Sequence, residues 1–128
     1  MAKTRIMIVE DEIIIAMALS KDLEVLGYEI CGPVCSGEQA IEKTEPDKPD
    51  VVLMDINIRG EISGIEAARE IRSRFGVPIV FMTGYSDQDM AERAKLLKPI
   101  GYFVKPVRAE ELQLTIDSAL NKPDEDLK

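Results

Sequence analysis

The chain has 128 residues, of which 45% are hydrophobic and 31% charged, and these values suit one folded domain with a core of its own. Its formal net charge of −8 argues against a nucleic-acid-binding surface, because phosphate backbones attract Lys and Arg side chains. No apolar run approaches the roughly 18 residues of a membrane span, and the N-terminus leads into a strand pattern unlike a signal peptide, so we expect a cytoplasmic protein.

The first half of the chain alternates between strand and helix patterns. Residues 4–9 are a short apolar run typical of a strand, and apolar side chains at helical spacing predict a helix over residues 12–26. The repeating apolar residues of this helix are Ile15, Leu19, Leu23 and Leu26. Residues 28–34 predict a second strand. Ser36 is a good N-cap for a second helix, which we expect Pro46 and Pro49 to end.

The second half repeats the alternation. Residues 50–54 are apolar on both faces, as expected for a central parallel strand, and a loop over residues 55–63 leads to a helix over residues 64–75. The remaining predicted elements are a strand at 77–82, a helix at 87–96 capped by Ser86, a strand at 100–104, and a helix at 108–119 with Ala119 inward. Strands that alternate with helices of this length predict an α/β fold, in which helices cover both faces of a parallel sheet. We expect one domain over residues 1–121 and a polar tail over residues 122–128.

Polar groups follow four of the five predicted strands. They are Glu10, Asp11 and Glu12 after the first strand, Asp55 after the third, Thr83 and Gly84 after the fourth, and Lys105 after the fifth. Each group is common at the end of a strand when it is taken alone. In an open parallel sheet, however, ligands bind outside the carboxyl ends of the strands. The coincidence at one edge therefore predicts a functional site.

The acidic residues of this set favour a bound cation. If Glu10, Asp11 and Asp55 converge to roughly 5 Å, each pair of charges repels by about 3 kcal/mol at an effective dielectric near 20. Carboxylate and carbonyl oxygens together with water suit Mg²⁺, which relieves this repulsion. A lysine and a hydroxyl beside an exposed carboxylate are groups that phosphoryl transfer needs. We therefore predict that Asp55 is a nucleophile that accepts a phosphoryl group.

Five segments, in order along the chain, resemble the receiver domains of two-component response regulators, and the chain is similar to the single-domain receivers of the chemotaxis type. The segments are residues 8–12 (IVEDE), 51–56 (VVLMDI), 64–66 (GIE), 78–84 (PIVFMTG) and 101–106 (GYFVKP). The resemblance implies a flavodoxin-like fold, a five-stranded parallel sheet in the order 2-1-3-4-5 with helices on both faces. It also implies a signalling switch whose output partner binds the face formed by the fourth helix, fifth strand and fifth helix, with no nucleic acid or membrane bound by this domain.

The resemblance also assigns roles around the metal. Asp55 would accept the phosphoryl group from a histidine kinase or a phosphotransfer protein in a Mg²⁺-dependent reaction. Asp11 would bind Mg²⁺ directly together with Asp55, and Glu10 would act largely through water. The backbone carbonyl of Asn57 would be a further ligand. The chain contains no histidine, so the donor must be another protein or another domain.

Further implied roles concern the switch. Thr83 would move toward the phosphoryl group, and Lys105 would pair with that group. Tyr102 would turn inward once Thr83 has moved. The Lys105–Pro106 peptide bond would be cis, a geometry that proline permits.

Three positions depart from the family pattern. Glu10 stands where Asp is commoner. The loop over residues 57–63 looks about two residues longer than usual and lacks the frequent proline, which would reshape access to Asp55. Tyr85 lies two residues after Thr83, where a bulky side chain is expected to slow the loss of the phosphoryl group.

Two other functions are compatible with part of the pattern. A Mg²⁺-dependent phosphohydrolase that uses Asp55 would usually place a second Asp two residues later, where this chain has Asn57. An interaction module that is never phosphorylated would not need the complete set of Asp55, Thr83 and Lys105. The chain could be a stand-alone receiver or one domain of a longer protein.

Overall fold

Five strands alternate with five helices along residues 3–84 and 88–120, the parts of the chain that this computed structural model describes. The strands are β1 (Arg5–Val9), β2 (Glu29–Val34), β3 (Val51–Asp55), β4 (Ile79–Thr83) and β5 (Gly101–Val104). The helices are α1 (Ile13–Val25), α2 (Gly37–Asp47), α3 (Gly64–Phe75), α4 (Gln88–Lys95) and α5 (Ala109–Leu120).

The five strands form one parallel sheet in the order β2-β1-β3-β4-β5, which confirms the predicted fold. The register pairs Val9 with Met54, and it pairs Asp55 with Met82. Neighbouring strands therefore end level with one another. The residues at their carboxyl ends meet at one edge of the sheet.

Side chains alternate between the two faces of the sheet, as the pleat requires. One face packs with α1 and α5, and its strand residues are Ile6, Ile8, Val51, Leu53, Val80 and Met82. The other face packs with α2, α3 and α4, and its strand residues are Met7, Val9, Val52, Met54, Ile79 and Phe81. Because both faces are covered, the central strands β1, β3 and β4 are apolar except at one end residue each, which explains their continuous apolar pattern.

Helix α3 has the most complete end signals among the described helices. The Ser63 side chain accepts from the backbone N–H of Glu66 at 3.1 Å, and the Glu66 carboxylate accepts from the backbone N–H of Ser63 at 3.0 Å. This reciprocal capping box fixes where the helix begins. The helix ends on Gly76, whose φ of 70° is a left-handed conformation that favours glycine.

Three local expectations were wrong. Pro46 does not end α2, because it lies in the last turn, where the lost N–H removes one hydrogen bond only, and the helix continues to Asp47. In α1 the buried position is Ala16, and the predicted Ile15 is 40% exposed. At the end of α5, Ala119 is exposed and Leu120 packs against the core instead.

The remaining expectations concern peptide-bond geometry, membrane-spanning helices and residues outside the described ranges. The Lys105–Pro106 bond is cis, as predicted, and so is Gly32–Pro33, which was not predicted. None of the helices in the described ranges is both long and apolar enough to span a membrane. Tyr85, the predicted cap Ser86 and the tail over residues 122–128 lie outside the described residues.

Candidate functional site

The carboxyl edge of the sheet brings together the side chains that the sequence singled out. Asp55 and Thr83 are the last residues of β3 and β4, and Glu10 follows β1 directly. All three are buried, with exposed fractions of 4%, 1% and 1% for Asp55, Thr83 and Glu10. Lys105 follows β5 and reaches back over the edge of the sheet. Four segments that are distant in sequence therefore share one pocket.

Lys105 joins two of the carboxylates. Its ammonium group donates to Glu10 Oε1 and, at 3.0 Å, to Asp55 Oδ2. Burial by itself would lower the pKa of Lys105, but the hydrogen bonds to Glu10 and Asp55 outweigh burial and raise that pKa. Lys105 therefore keeps its positive charge beside Asp55. Burial also raises the pKa of Glu10, although Lys105 opposes this shift.

The backbone around Asp55 holds its carboxylate in place. Asp55 Oδ1 accepts from the backbone N–H of Asn57 at 3.0 Å. Helix α3 begins directly against this turn, since a Cβ atom at Gly64 would collide with the backbone oxygen of Asp55. Glycine at this position therefore lets the helix approach the site.

Asp11 lies on the rim of the pocket and contacts the loop after β3. Its Oδ2 accepts from the backbone N–H of Arg59 at 3.2 Å, and Arg59 Nε lies 3.3 Å from the same oxygen. The Arg59 side chain is 88% exposed, whereas that of Asp11 is 14% exposed. Sequence reasoning missed Arg59. The one signal was the expectation that this loop is longer than in the family pattern.

The acidic residues converge as predicted. Glu10, Asp11 and Asp55 each offer one carboxylate oxygen, and these oxygens lie within 4.8 Å of one another. Asp11 and Asp55 border a cavity of about 340 Å³. The residues that line it are Asp11, Glu12, Asp55, Asn57, Arg59, Gly84 and Lys105. Oxygen donors without His or Cys fit a hard cation such as Mg²⁺, so these residues suit the implied metal.

Thr83 is tied to the loop after β3. Its hydroxyl donates to the side-chain oxygen of Asn57 at 2.9 Å. Asn57 was predicted for its backbone carbonyl, and it does line the cavity, but its side chain has this second contact. No sequence pattern predicts this bond, because the two residues are 26 positions apart.

Tyr102 on β5 is half-buried and packs against the cluster on the α2, α3 and α4 face. Its hydroxyl oxygen is buried and has no hydrogen-bond partner within residues 3–84 and 88–120. The ring thus lies inward while Thr83 is bonded to Asn57. The predicted order, in which Tyr102 turns inward only after Thr83 has moved, stays a prediction.

Comparisons with known proteins agree with the resemblance found in the sequence. The family described as "Response regulator receiver domain" matches residues 6–117. The "Transcriptional regulatory protein PdtaR" of Mycobacterium tuberculosis is 40% identical over 118 residues, which cover 92% of this chain and 57% of that protein. The chain therefore spans little more than half the length of this relative.

Solved structures agree with the fold. The signal receiver domain of a modulated diguanylate cyclase from Desulfovibrio desulfuricans G20 has a TM-score of 0.89 and 36% identity, and the match covers 94% of this chain and 96% of that one. A CheY-like receiver domain protein from Methanospirillum hungatei JF-1 has a TM-score of 0.85 at 24% identity, with 98% and 99% covered. At that identity the second likeness concerns the fold alone.

Proposed function

The chain belongs to the response regulator receiver domain family of two-component systems, whose members are phosphorylation-dependent signalling switches, and from this membership we propose that Asp55 is the residue phosphorylated. One observation supports this assignment above the others. Asp55 is a buried carboxylate that faces the acidic cavity, and Lys105 donates to one of its oxygens. The donor would be a histidine kinase or a phosphotransfer protein.

The reaction needs few groups. A carboxylate oxygen of Asp55 attacks the phosphorus atom, the new O–P bond forms as the donor's N–P bond breaks, and the donor's imidazole leaves with the bonding electrons and takes up a proton. Lys105 stabilises negative charge on the transferred group. Mg²⁺, held by Asp11 and Asp55 with Glu10 and the Asn57 carbonyl nearby, would supply further positive charge when it is bound. In each cycle the domain itself would be phosphorylated once and then dephosphorylated, whereas an enzyme converts a separate substrate and is itself unchanged.

The switch would begin at Thr83. An acyl phosphate on Asp55 presents new acceptor oxygens beside the Thr83 hydroxyl, which now donates to Asn57. We expect exchange of that bond to affect Tyr102 on the neighbouring strand β5, whose buried hydroxyl has no partner among the described residues. An output partner would bind α4, β5 and α5. Exposed apolar residues at these elements, Leu96, Val104 and Leu114, support that choice.

Direct phosphorylation tests the proposal. Acetyl phosphate with Mg²⁺ should add the mass of one phosphoryl group to the wild type, and beryllofluoride should shift its NMR signals around the pocket. Asp55→Asn should show neither change, because an amide oxygen is a poor nucleophile. Phosphorylation that persists in Asp55→Asn would contradict the site, and an unmodified wild type beside a modified control receiver would contradict the function.

Phosphohydrolase activity lacks a specific supporting observation. The position two residues after Asp55 has an amide, which cannot act as an acid or base, and its oxygen is occupied by Thr83. An interaction module that is never phosphorylated would not need the buried ion pair between Lys105 and Asp55, so this pair argues against that function.

A further inference from the structure

We propose that Arg59 is a built-in counter-ion of the metal site, which lowers the affinity of the pocket for Mg²⁺ by holding a positive charge against Asp11. This inference rests on the proposed function, since it concerns the cation of that same site. It assigns a task to the lengthened loop after β3. The loop would set how much free Mg²⁺ the domain needs before it can be phosphorylated.

The first support is the distribution of charge in the pocket. Three carboxylates lie together, and the chain supplies a cation to each of them. Lys105 forms ion pairs with Glu10 and Asp55, and Arg59 forms an ion pair with Asp11. The remaining charged residue that lines the cavity is Glu12. A metal ion that binds Asp11 therefore meets a carboxylate whose charge Arg59 already offsets.

The second support is that the backbone of Arg59 and its side chain act on the same oxygen. The backbone N–H donates to Asp11 Oδ2 at 3.2 Å, and Nε lies 3.3 Å from it. The backbone bond orients the Asp11 carboxylate without using the Arg59 side chain. The guanidinium group therefore contributes mainly its charge, which a substitution at position 59 can remove without releasing Asp11.

The third support is the contact of Glu38 with residues 60 and 61, called the latch below, which fixes the loop beside Asp11. Glu38, in the first turn of α2, accepts from the backbone N–H of Glu61 at 2.7 Å. At Gly60 the φ of 135° favours glycine, and a Cβ atom there would lie 2.8 Å from Glu38 Oε1. Backbone hydrogen bonds, first its own and then that of Glu61, lower the pKa of Glu38, so the latch stays charged. Arg59 directly precedes this latched segment and is held at the rim.

The exposure of the Arg59 side chain sets how much its charge should change the Mg²⁺ affinity. The Arg59 side chain is 88% exposed, so water and salt screen its charge. Exposed ion pairs have modest energies, and we expect Arg59→Gln to bind Mg²⁺ about two- to fivefold more tightly than the wild type. The difference should shrink as the salt concentration rises.

Calorimetric titration with MgCl₂, without any phosphodonor, tests the inference. Arg59→Gln should bind more tightly, and Arg59→Lys, which keeps the charge, should stay near the wild type. Arg74→Gln is the matched control, because Arg74 is also in an exposed ion pair, with Glu70 at 3.4 Å, and its loss changes the net charge equally. Arg74 lies in the last turn of α3, away from the helix end that meets the site, so Mg²⁺ affinity should not change.

Several outcomes would overturn the inference alone. These are equal Mg²⁺ affinity in Arg59→Gln and the wild type, an equal gain in Arg74→Gln, or a gain in Arg59→Lys as large as that in Arg59→Gln. A wild type that binds no Mg²⁺ at all, with a circular dichroism spectrum typical of a folded α/β protein, would overturn the proposed Mg²⁺-dependent function and the inference with it.

Discussion

A side-chain hydrogen bond joins Tyr28, the residue before β2, to helix α5. The Tyr28 hydroxyl donates to Asp117 Oδ1 at 2.7 Å, and Tyr28 is 5% exposed. Burial, and then the neighbouring Asp117 carboxylate, raise the pKa of Tyr28 above its ordinary value. A pKa that is higher in the folded state means that the contribution to stability is complete below the unfolded-state value of about 10 and declines as the pH rises above it.

Tyr28→Phe should reveal this contribution. At neutral pH we expect the variant to lose about 1 kcal/mol of unfolding free energy with the hydrogen bond. Above about pH 10 the wild type should lose stability more steeply than the variant, so the gap between them should narrow. Urea unfolding at neutral and alkaline pH measures both quantities. A gap of constant size across this range would show that Tyr28 does not titrate as described.

At the level of elements, the start of α3 matters most for the site, because this helix begins against the backbone of Asp55. Removal of the cap in Ser63→Ala should cost about 1 kcal/mol of unfolding free energy, because the Ser63 hydroxyl accepts from the backbone N–H of Glu66 and alanine cannot replace it. Ser73→Ala in the same helix is the control. Ser73 is exposed and its hydroxyl lies 3.5 Å from its acceptor oxygen, so we expect little change. Thermal unfolding compares the two, and equal losses would contradict the assigned cap.

At the scale of the whole molecule, an exposed apolar surface adjoins the site. The first turns of α1 expose Ile13, Ile14 and Met17, with exposed fractions of 51%, 80% and 61%. A neighbouring groove of about 370 Å³ reaches from Ile15 to Lys105. A phosphorylated donor protein has to approach Asp55 closely, and we expect it to cover part of this surface.

Substitution of Ile14 should change the rate of phosphorylation by a protein donor but not by a small-molecule donor. With a cognate kinase, Ile14→Ser should slow phosphotransfer about fivefold or more, because an exposed apolar contact to the donor is lost. With acetyl phosphate, which needs no docking surface, the rate should not change. Val25→Ser is the control on the same helix, since Val25 is 79% exposed but lies at the far end of α1. Equal slowing by both variants would contradict the docking surface.

Much of the fold and the central part of the site could be predicted from the sequence. The alternation of apolar runs with helical patterns fixed the order of the elements, and the position of Asp55, Thr83 and Lys105 at strand ends was enough to bring them together. The reason is geometric, since all carboxyl ends of a parallel sheet lie at one edge. Where the outcome differed, as at Pro46 and Ile15, it depended on a fraction of a helical turn, which spacing alone does not resolve.

Only the tertiary structure decided how the rim of the site is built. The bond of Arg59 to Asp11 spans 48 positions, that of Glu61 to Glu38 spans 23, and that of Thr83 to Asn57 spans 26. Each of these contacts has at least one partner in the loop after β3, where no periodic pattern constrains the backbone. The sequence by itself thus determined the fold and the convergence of Glu10, Asp11 and Asp55, because the carboxyl ends of parallel strands always lie at one edge of the sheet. Which cation lies against Asp11 depended on the path of one loop, which is set by distant contacts.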